Sequence, residues 1–181
     1  MVDLVESGAI IPGKALDLCC GAGTNPIYLA GIGFEVTALD ISDKAAECAR
    51  ARAERASRKS VDMLLLVADF LAFPFVNEGF DFVFDFGCFH HVDVEDRNSF
   101  IRGVHRILKS EGTYLIVCFS HKNGPAWNHF MEEQIIELFQ DHFEMKRTKH
   151  VFSIEGDDNR RYFYEVLMKK SARMEASSSR T

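Results

Sequence analysis

The sequence predicts an α/β fold, a mostly parallel sheet between helices on both faces with an antiparallel edge. Three observations predict it. Short apolar runs alternate with stretches of helical period through most of the chain. The run at residues 61–67 is close to continuously hydrophobic, as strands buried on both faces are. Near the C-terminus two long strand-like runs follow each other around a Gly/Asp/Asn turn, which describes a hairpin. Five βα units and a hairpin give seven strands.

Each element has a local reason. Lys14 to Cys19 is a short apolar strand; Thr24 to Gly31 is a helix that Thr24 or Asn25 can cap, with Pro26 in its first turn and Gly31 and Gly33 as stops. Phe34 to Leu39 is the second strand and ends at Asp40. Ser42 then caps a helix running to about Ser57, with Ala45, Ala46, Ala49 and Ala53 on a small-residue face and Arg50, Arg52, Arg55 and Arg58 outward. Val61 to Val67 is the third strand. Phe80, Phe82, Phe84 and Phe86 alternate with Asp81, Val83 and Asp85 at period two, a fourth strand whose phenylalanines read as core. Asp93, Glu95 and Asp96 open a helix carrying Phe100, Ile101, Val104, Ile107 and Leu108 at helical spacing and stopped by Gly112. Thr113 to Phe119 is the fifth strand, Glu132 to Asp141 a helix, and Phe143 to Phe152 and Arg161 to Met168 the hairpin. Residues 1–170 read as one domain and 171–181 as a polar, disordered tail.

The 181 residues carry 21 Lys and Arg against 27 Asp and Glu, a net charge of −6 that argues against a dedicated nucleic-acid binder and leaves the arginine-rich helix face as a solvated surface. No apolar stretch approaches the ~20 residues needed to span a bilayer and no leader pattern opens the chain, so no membrane role and a cytoplasmic address are expected. Five cysteines, an odd number without a Cys-x-x-Cys, are expected to be reduced and mostly buried thiols.

Ligands of open α/β sheets bind outside the carboxyl ends of the strands, so the turns there carry the functional signal. The first is Leu16-Asp17-Leu18-Cys19-Cys20-Gly21-Ala22-Gly23. Gly21 and Gly23 allow close backbone approach to a ligand. Three acids mark successive strands: Asp17 inside the first, Asp40 ending the second, Asp69 after the third. A dinucleotide fingerprint would need a glycine where Pro26 stands, and Asp17 would repel a diphosphate. An acid there suits an ammonium or a sulfonium; with a ribose for Asp40 and an adenine for Asp69, the ligand is S-adenosylmethionine. Capping of turns and helices is the competing reading of each acid alone.

On these residues the chain resembles the class I S-adenosylmethionine-dependent methyltransferases over nearly its whole length, with Cys19 where a glycine is usual. Phe84-Asp85-Phe86-Gly87-Cys88-Phe89-His90-His91-Val92, Arg106-Ile107-Leu108-Lys109-Ser110-Glu111-Gly112 and Cys118-Phe119-Ser120 are similar to the small-molecule branch containing thiopurine S-methyltransferase and the tellurite-resistance enzymes. The resemblance implies a Rossmann-like α/β/α sandwich. It implies that Gly21 and Gly23 lie against the methionine and ribose part of the cofactor, with Cys19 a small residue of the same cofactor turn, that Asp17 orients its amino group, that Asp40 accepts the ribose hydroxyls and that Ile41 packs on the adenine. Asp69 and the Phe70 N–H would read the adenine edge, with Asp85 and Phe86 completing the cofactor site.

Methyl transfer from a sulfonium is an in-line displacement, so alignment and water exclusion matter more than a catalytic triad. The end of the fourth strand should lie beside the methyl group, which makes Asp85, Phe89, His90 and His91 the candidate catalytic residues: Phe89 as a cation–π face, a histidine as a base. The competing reading packs both histidines at a helix start. Cys88, His90 and His91 lack the spacing and further ligands of a metal site, and none is expected. The expected partner is a small-molecule acceptor, a thiol, metalloid or other heteroatom nucleophile. Alternatives are a cofactor-binding sensor or partner subunit without catalysis, and a methyltransferase acting on nucleic acid or protein. Only Met1 to Gly13 precede the first strand where related enzymes carry covering helices, so the chain is truncated, its site is open, or a homodimer mate or partner subunit supplies the lid. The insert His121 to Phe130, with Trp127 and His129, is the candidate partial cover, and Phe70, Phe73 and Phe75 can line the same pocket or cover the sheet edge.

Overall fold

The computed structural model describes residues 1–56, 63–72, 75–125, 128–155 and 159–172. The expectations for Ser57, Arg58, Val61, Phe73, Pro74, Trp127, the hairpin tip 156–158 and the tail beyond residue 172 lie outside them. The chain runs α1 (Val2–Glu6), β1 (Lys14–Leu18), α2 (Thr24–Gly31), β2 (Glu35–Asp40), α3 (Asp43–Ala56), β3 (Met63–Val67), β4 (Phe80–Phe86), α4 (Arg97–Ile107), β5 (Leu108–Phe119), α5 (Glu132–Phe139), β6 (Phe143–Glu155) and β7 (Asn159–Lys170). One seven-stranded sheet has the order β3-β2-β1-β4-β5-β7-β6. The first five strands pair in parallel, and β7 runs antiparallel to both its neighbours, one place in from the edge.

Strand parity sorts the core onto two faces. Leu16, Leu18 and Val83 meet Phe89, Phe100, Val104, Ile107, Tyr114 and Phe139 under α4 and α5. Ala15, Phe82, Phe84, Leu115 and Val117 meet Leu4 of α1 and Leu29 of α2 on the other face. The β4 alternation holds from Phe82 onward, but a register shift between Phe80 and Phe82 sends the Phe80 ring to the opposite face, edge-on to Phe75 at 5.3 Å. Phe86, at the strand end, is 50 % exposed rather than core.

Several ends differ from the sequence reading for identifiable reasons. Gly23, in the left-handed region at φ 80°, is the N-cap of α2 in place of Thr24 or Asn25, whose position inside the helix follows from the turn before it. Thr24 instead accepts from Arg52 of α3 through its hydroxyl. Ser42 does cap α3, accepting from Ala45 N–H at 3.2 Å. α4 stops at Ile107, before Gly112, because Leu108 already pairs with Phe80 and starts β5. α1, which the sequence reading left unassigned, buries Leu4 and fastens the Met1 ammonium to Glu165 of β7 at 3.1 Å. Ser171, placed by its polarity in the tail, donates its N–H to the His142 carbonyl at 3.0 Å. Among the described residues no helix is long and apolar enough to cross a membrane.

Candidate active site

The strand order reverses between β1 and β4, so the crevice beyond their carboxyl ends is the topological switch point where open sheets hold ligands. The turn after β1 forms one wall. Gly21 and Gly23 both have positive φ, 53° and 80°, but for different reasons. A Cβ at Gly21 would meet nothing within 4 Å, so its backbone faces open space; one at Gly23 would stand 2.8 Å from the Ala49 Cβ, so that glycine lets α2 and α3 close on each other. Gly21→Ala is therefore expected to cost about 1 kcal/mol of stability, the left-handed penalty, and Gly23→Ala about 2–4 kcal/mol, overpacking added. Thermal melts of the two variants check the order.

Asp40 ties that turn to β2. Its carboxylate accepts from Gly21 N–H at 2.8 Å and from Ser42 N–H at 2.9 Å, one bond on each oxygen. Each oxygen keeps a second lone-pair direction, and the side chain, 9 % exposed, borders the open space over Gly21. Ile41, the next residue, is 64 % exposed, an apolar side chain on the crevice rim. Asp69 is exposed and accepts from Leu71 N–H at 2.9 Å. The Phe70 ring turns away to meet Phe100 edge-on at 5.6 Å, which leaves its backbone as the part able to face a ligand. Asp17 is buried, its Oδ2 has no hydrogen-bond partner, and burial, then Asp85 and Asp40, hold its carboxyl well above the ordinary range. An open glycine backbone, a carboxylate with spare acceptor capacity, an exposed apolar side chain and an orphaned buried acid fit a ligand with an amino group, a ribose and an adenine. S-adenosylmethionine is such a ligand.

On the other wall three of the four catalytic candidates, Asp85, Phe89 and His90, turn inward. Asp85, expected beside the transferring methyl group, is fully buried on the α4/α5 face: its Oδ1 accepts from Cys88 N–H at 2.7 Å, its Oδ2 from the Tyr114 hydroxyl at 3.0 Å, and Phe89 N–H donates to it at 3.2 Å. Burial pushes its pKa up to about 7 against those three bonds. Through the Cys88 and Phe89 N–H groups it holds the start of the 3₁₀ turn Phe89–His91. Phe89, expected as a cation–π face, is likewise fully buried, its ring 5.1–5.4 Å from those of Phe100, Phe130 and Phe139. The turn rotates this side chain inward because the core has an aromatic slot for it. His90 is 4 % exposed, stacks on Phe119 at 4.2 Å, and has its pKa lowered to about 4 by burial and by His91. It packs, as the competing reading held, whereas His91 is exposed. Phe86 presents its half-exposed ring beside Phe163 at 5.9 Å.

The thiols also differ from expectation. Cys19 and Cys88, read as reduced, form a disulfide with a Cα separation of 5.7 Å, because the β1 and β4 ends lie side by side. Cys20 and Cys118 remain buried free thiols, Cys20 pushed up to about 12 by burial and by Asp17. Among the described residues no group of three or more His, Cys, Asp or Glu side chains is placed to hold a metal ion.

Sequence reasoning missed a polar cluster at the carboxyl end of β5. Ser120 is fully buried, and its hydroxyl is 2.7 Å from His150 Nε2 of β6; the His150 ring stacks on Tyr164 of β7 at 4.7 Å, and the Tyr164 hydroxyl is 3.4 Å from His121 Nδ1. The register His150↔Tyr164↔Cys118 brings these residues together from three strands. A strand pairing of this kind leaves no local signal; only Ser120, at a strand end, and His121, opening the insert, were visible.

Residues 15–112 match the methyltransferase domain family. The chain is 38 % identical over 114 residues to an uncharacterized methyltransferase of Synechocystis sp., covering 62 % of this chain and 50 % of that protein. It is 30 % identical over 130 residues to thiocyanate methyltransferase 1 of Brassica oleracea, covering 70 % and 57 %. The chain thus spans about half the length of these two relatives. The crystal structure of a SAM-dependent methyltransferase from Methanosarcina mazei superposes with a TM-score of 0.79 at 20 % identity, over 91 % of this chain and 96 % of that one, and shows the shared fold. With more than half its length matched and the glycine turn and its acids arranged around the switch point, the chain belongs to the methyltransferase domain family, whose cofactor is S-adenosylmethionine.

Proposed function

We propose that this chain transfers the methyl group of S-adenosylmethionine to a small-molecule acceptor, one carrying a thiol, metalloid or other heteroatom nucleophile. The observation that carries the reading is the open Gly21 backbone held by Asp40 beside the exposed Ile41. When bound, the cofactor supplies a methyl group already activated on a sulfonium. Gly21 lets its methionine and ribose part lie against the backbone, Asp40 takes the ribose hydroxyls on its remaining lone pairs, Ile41 covers one adenine face, and Asp69 with the Phe70 N–H reads the adenine edge. Asp17, the orphaned acid, orients the amino group through backbone or water.

The acceptor class follows from proton chemistry. An oxygen or nitrogen acceptor needs a base with a pKa near the working pH, whereas a soft nucleophile reacts as its anion. Asp85, near the end of β4, and His90, in the turn after it, are both buried, and His90, at about 4, is a weak base. A thiol or similar soft acceptor asks nothing of them. Phe86 and His91, the exposed side chains of this wall, are left to align it. The Brassica relative, by its name, methylates thiocyanate, an acceptor of this kind. The net charge of −6 supports a small acceptor over nucleic acid.

Calorimetry with S-adenosylmethionine and S-adenosylhomocysteine, NADH as control, tests the cofactor half: both adenosyl ligands should bind and NADH should not. A panel of thiols, metalloid oxyanions and phenols tests the acceptor, with thiols expected to turn over fastest. Binding without turnover across the panel assigns a cofactor-binding subunit instead.

A further inference from the structure

The Cys19–Cys88 disulfide plays no part in methyl transfer, yet it spans the mouth of the cofactor crevice. Cys19 is the first residue after β1, and Cys88 follows β4 by two residues. Their strands are neighbours in register Leu18↔Asp85. The bond therefore staples the glycine turn to the turn that Asp85 holds through Cys88 N–H, joining positions 69 residues apart in sequence. The two sulfurs are unequal. Cys19 is half-buried on the crevice side, whereas Cys88 is 1 % exposed and sheltered from solvent. Among the described residues Cys19 is also one of three non-glycine residues with positive φ, 53°, a conformation that costs a residue bearing a Cβ. The staple anchors that conformation two residues ahead of Gly21, whose N–H must point at Asp40 for the cradle to exist.

We propose that Cys19 and Cys88 are a redox-active pair that exchanges with low-molecular-weight disulfides such as glutathione disulfide, and that the oxidised pair holds the cofactor turn in its binding conformation. The regulatory half rests on the reading of that turn as the cofactor site. In the oxidising direction the accessible Cys19 thiolate attacks one sulfur of glutathione disulfide, forming a mixed disulfide and expelling one glutathione thiolate. Cys88 gives up its proton, and its thiolate displaces the second glutathione from Cys19 Sγ. Two protein thiols are oxidised to one disulfide, one glutathione disulfide is reduced to two glutathione thiols, and the two electrons and two protons balance. In reverse a glutathione thiolate attacks Cys19 Sγ, the less buried end, and releases Cys88. Once reduced, Cys19 is free to leave the left-handed region, and the Gly21–Asp40 bond loses its geometry.

The experiment equilibrates the whole chain in glutathione buffers of graded thiol-to-disulfide ratio, maps alkylated cysteines by mass spectrometry and titrates each state with S-adenosylhomocysteine. Alkylation of Cys19 and Cys88 should fall together as the disulfide fraction rises, and the reduced protein should bind about tenfold more weakly. Cys88→Ser should bind like the reduced protein at every ratio. Cys19→Gly, which suits the left-handed φ without a staple, should bind more tightly than reduced wild type and ignore the buffer. Full alkylation of both cysteines at every ratio, or a disulfide that leaves affinity unchanged or lowers it, overturns the proposal while the cofactor site stands. No binding in either state overturns the cofactor reading and the regulation with it.

Discussion

Asp40→Ala should bind S-adenosylhomocysteine about a hundredfold more weakly than wild type, or not measurably. Two effects add. The carboxylate accepts from Gly21 N–H at 2.8 Å and Ser42 N–H at 2.9 Å, and charge-assisted bonds of this kind contribute about 1.5–3 kcal/mol each. Removing them loosens the turn that forms the cradle, and removing the carboxylate also takes away the acceptor for the ribose. Asp40→Asn keeps one oxygen and sets an amide NH₂ against the other backbone N–H, so it should fall between, near tenfold. Titration calorimetry reads the affinities, and circular dichroism checks that the sheet is intact. Wild-type affinity in a folded Asp40→Ala protein would make Asp40 a turn residue only and remove the main support for the cofactor reading.

What the sequence made legible follows the same division between local and non-local physics. The period-two phenylalanines of β4, the glycine turn and the acids at three strand ends are local patterns, and they led to the sheet, the crevice and the ligand. Residues just past a strand end are different. Asp85, Phe89 and His90 all follow or end β4, where sequence position says "near the site" but not which way a side chain turns. The choice is made by distant partners: Tyr114 on β5 waits with a hydroxyl for Asp85, and Phe100, Phe130 and Phe139 leave a slot for Phe89. The Cys19–Cys88 bond and the Ser120–His150–Tyr164 cluster are non-local as well, assembled by register between strands far apart in sequence. Charge and hydropathy read along the chain contain no trace of such pairings. Asp85, Phe89 and His90 are the candidates whose side chains buried partners draw inward.

Asp85→Ala should be the most damaging substitution on the β4 side, lowering stability by about 3–5 kcal/mol at pH 6. Three donors, Cys88 N–H, Phe89 N–H and the Tyr114 hydroxyl, would be left buried without their acceptor, at about 1–3 kcal/mol each, partly offset by loss of a group that is itself costly to bury. In a chain of this size that lowers Tm by roughly 6–20 °C. Because the 3₁₀ turn Phe89–His91 hangs on this carboxyl, turnover should fall at temperatures where the sheet still stands. Asp85→Asn separates shape from charge. It keeps an acceptor for the backbone N–H groups, and it cannot ionise. With a folded pKa raised from 3.8 to about 7, the native state holds a proton that the unfolded state has released, so wild-type stability declines as pH rises through that window. The advantage of Asp85→Asn over wild type should therefore grow by about 3 kcal/mol between pH 5 and pH 8 and then level off. His90 works in the opposite sense, losing stability as pH falls from 6.5 towards about 4, but it is present in both proteins and cancels in the difference. Asp17 reinforces the trend, since its carboxyl is raised partly by the Asp85 charge that the variant lacks. Urea unfolding of both proteins across this pH range measures the difference directly. Parallel curves would mean that Asp85 is solvated in the native state, which would restore it as a group able to meet the substrate and undo its assignment as a positioning residue.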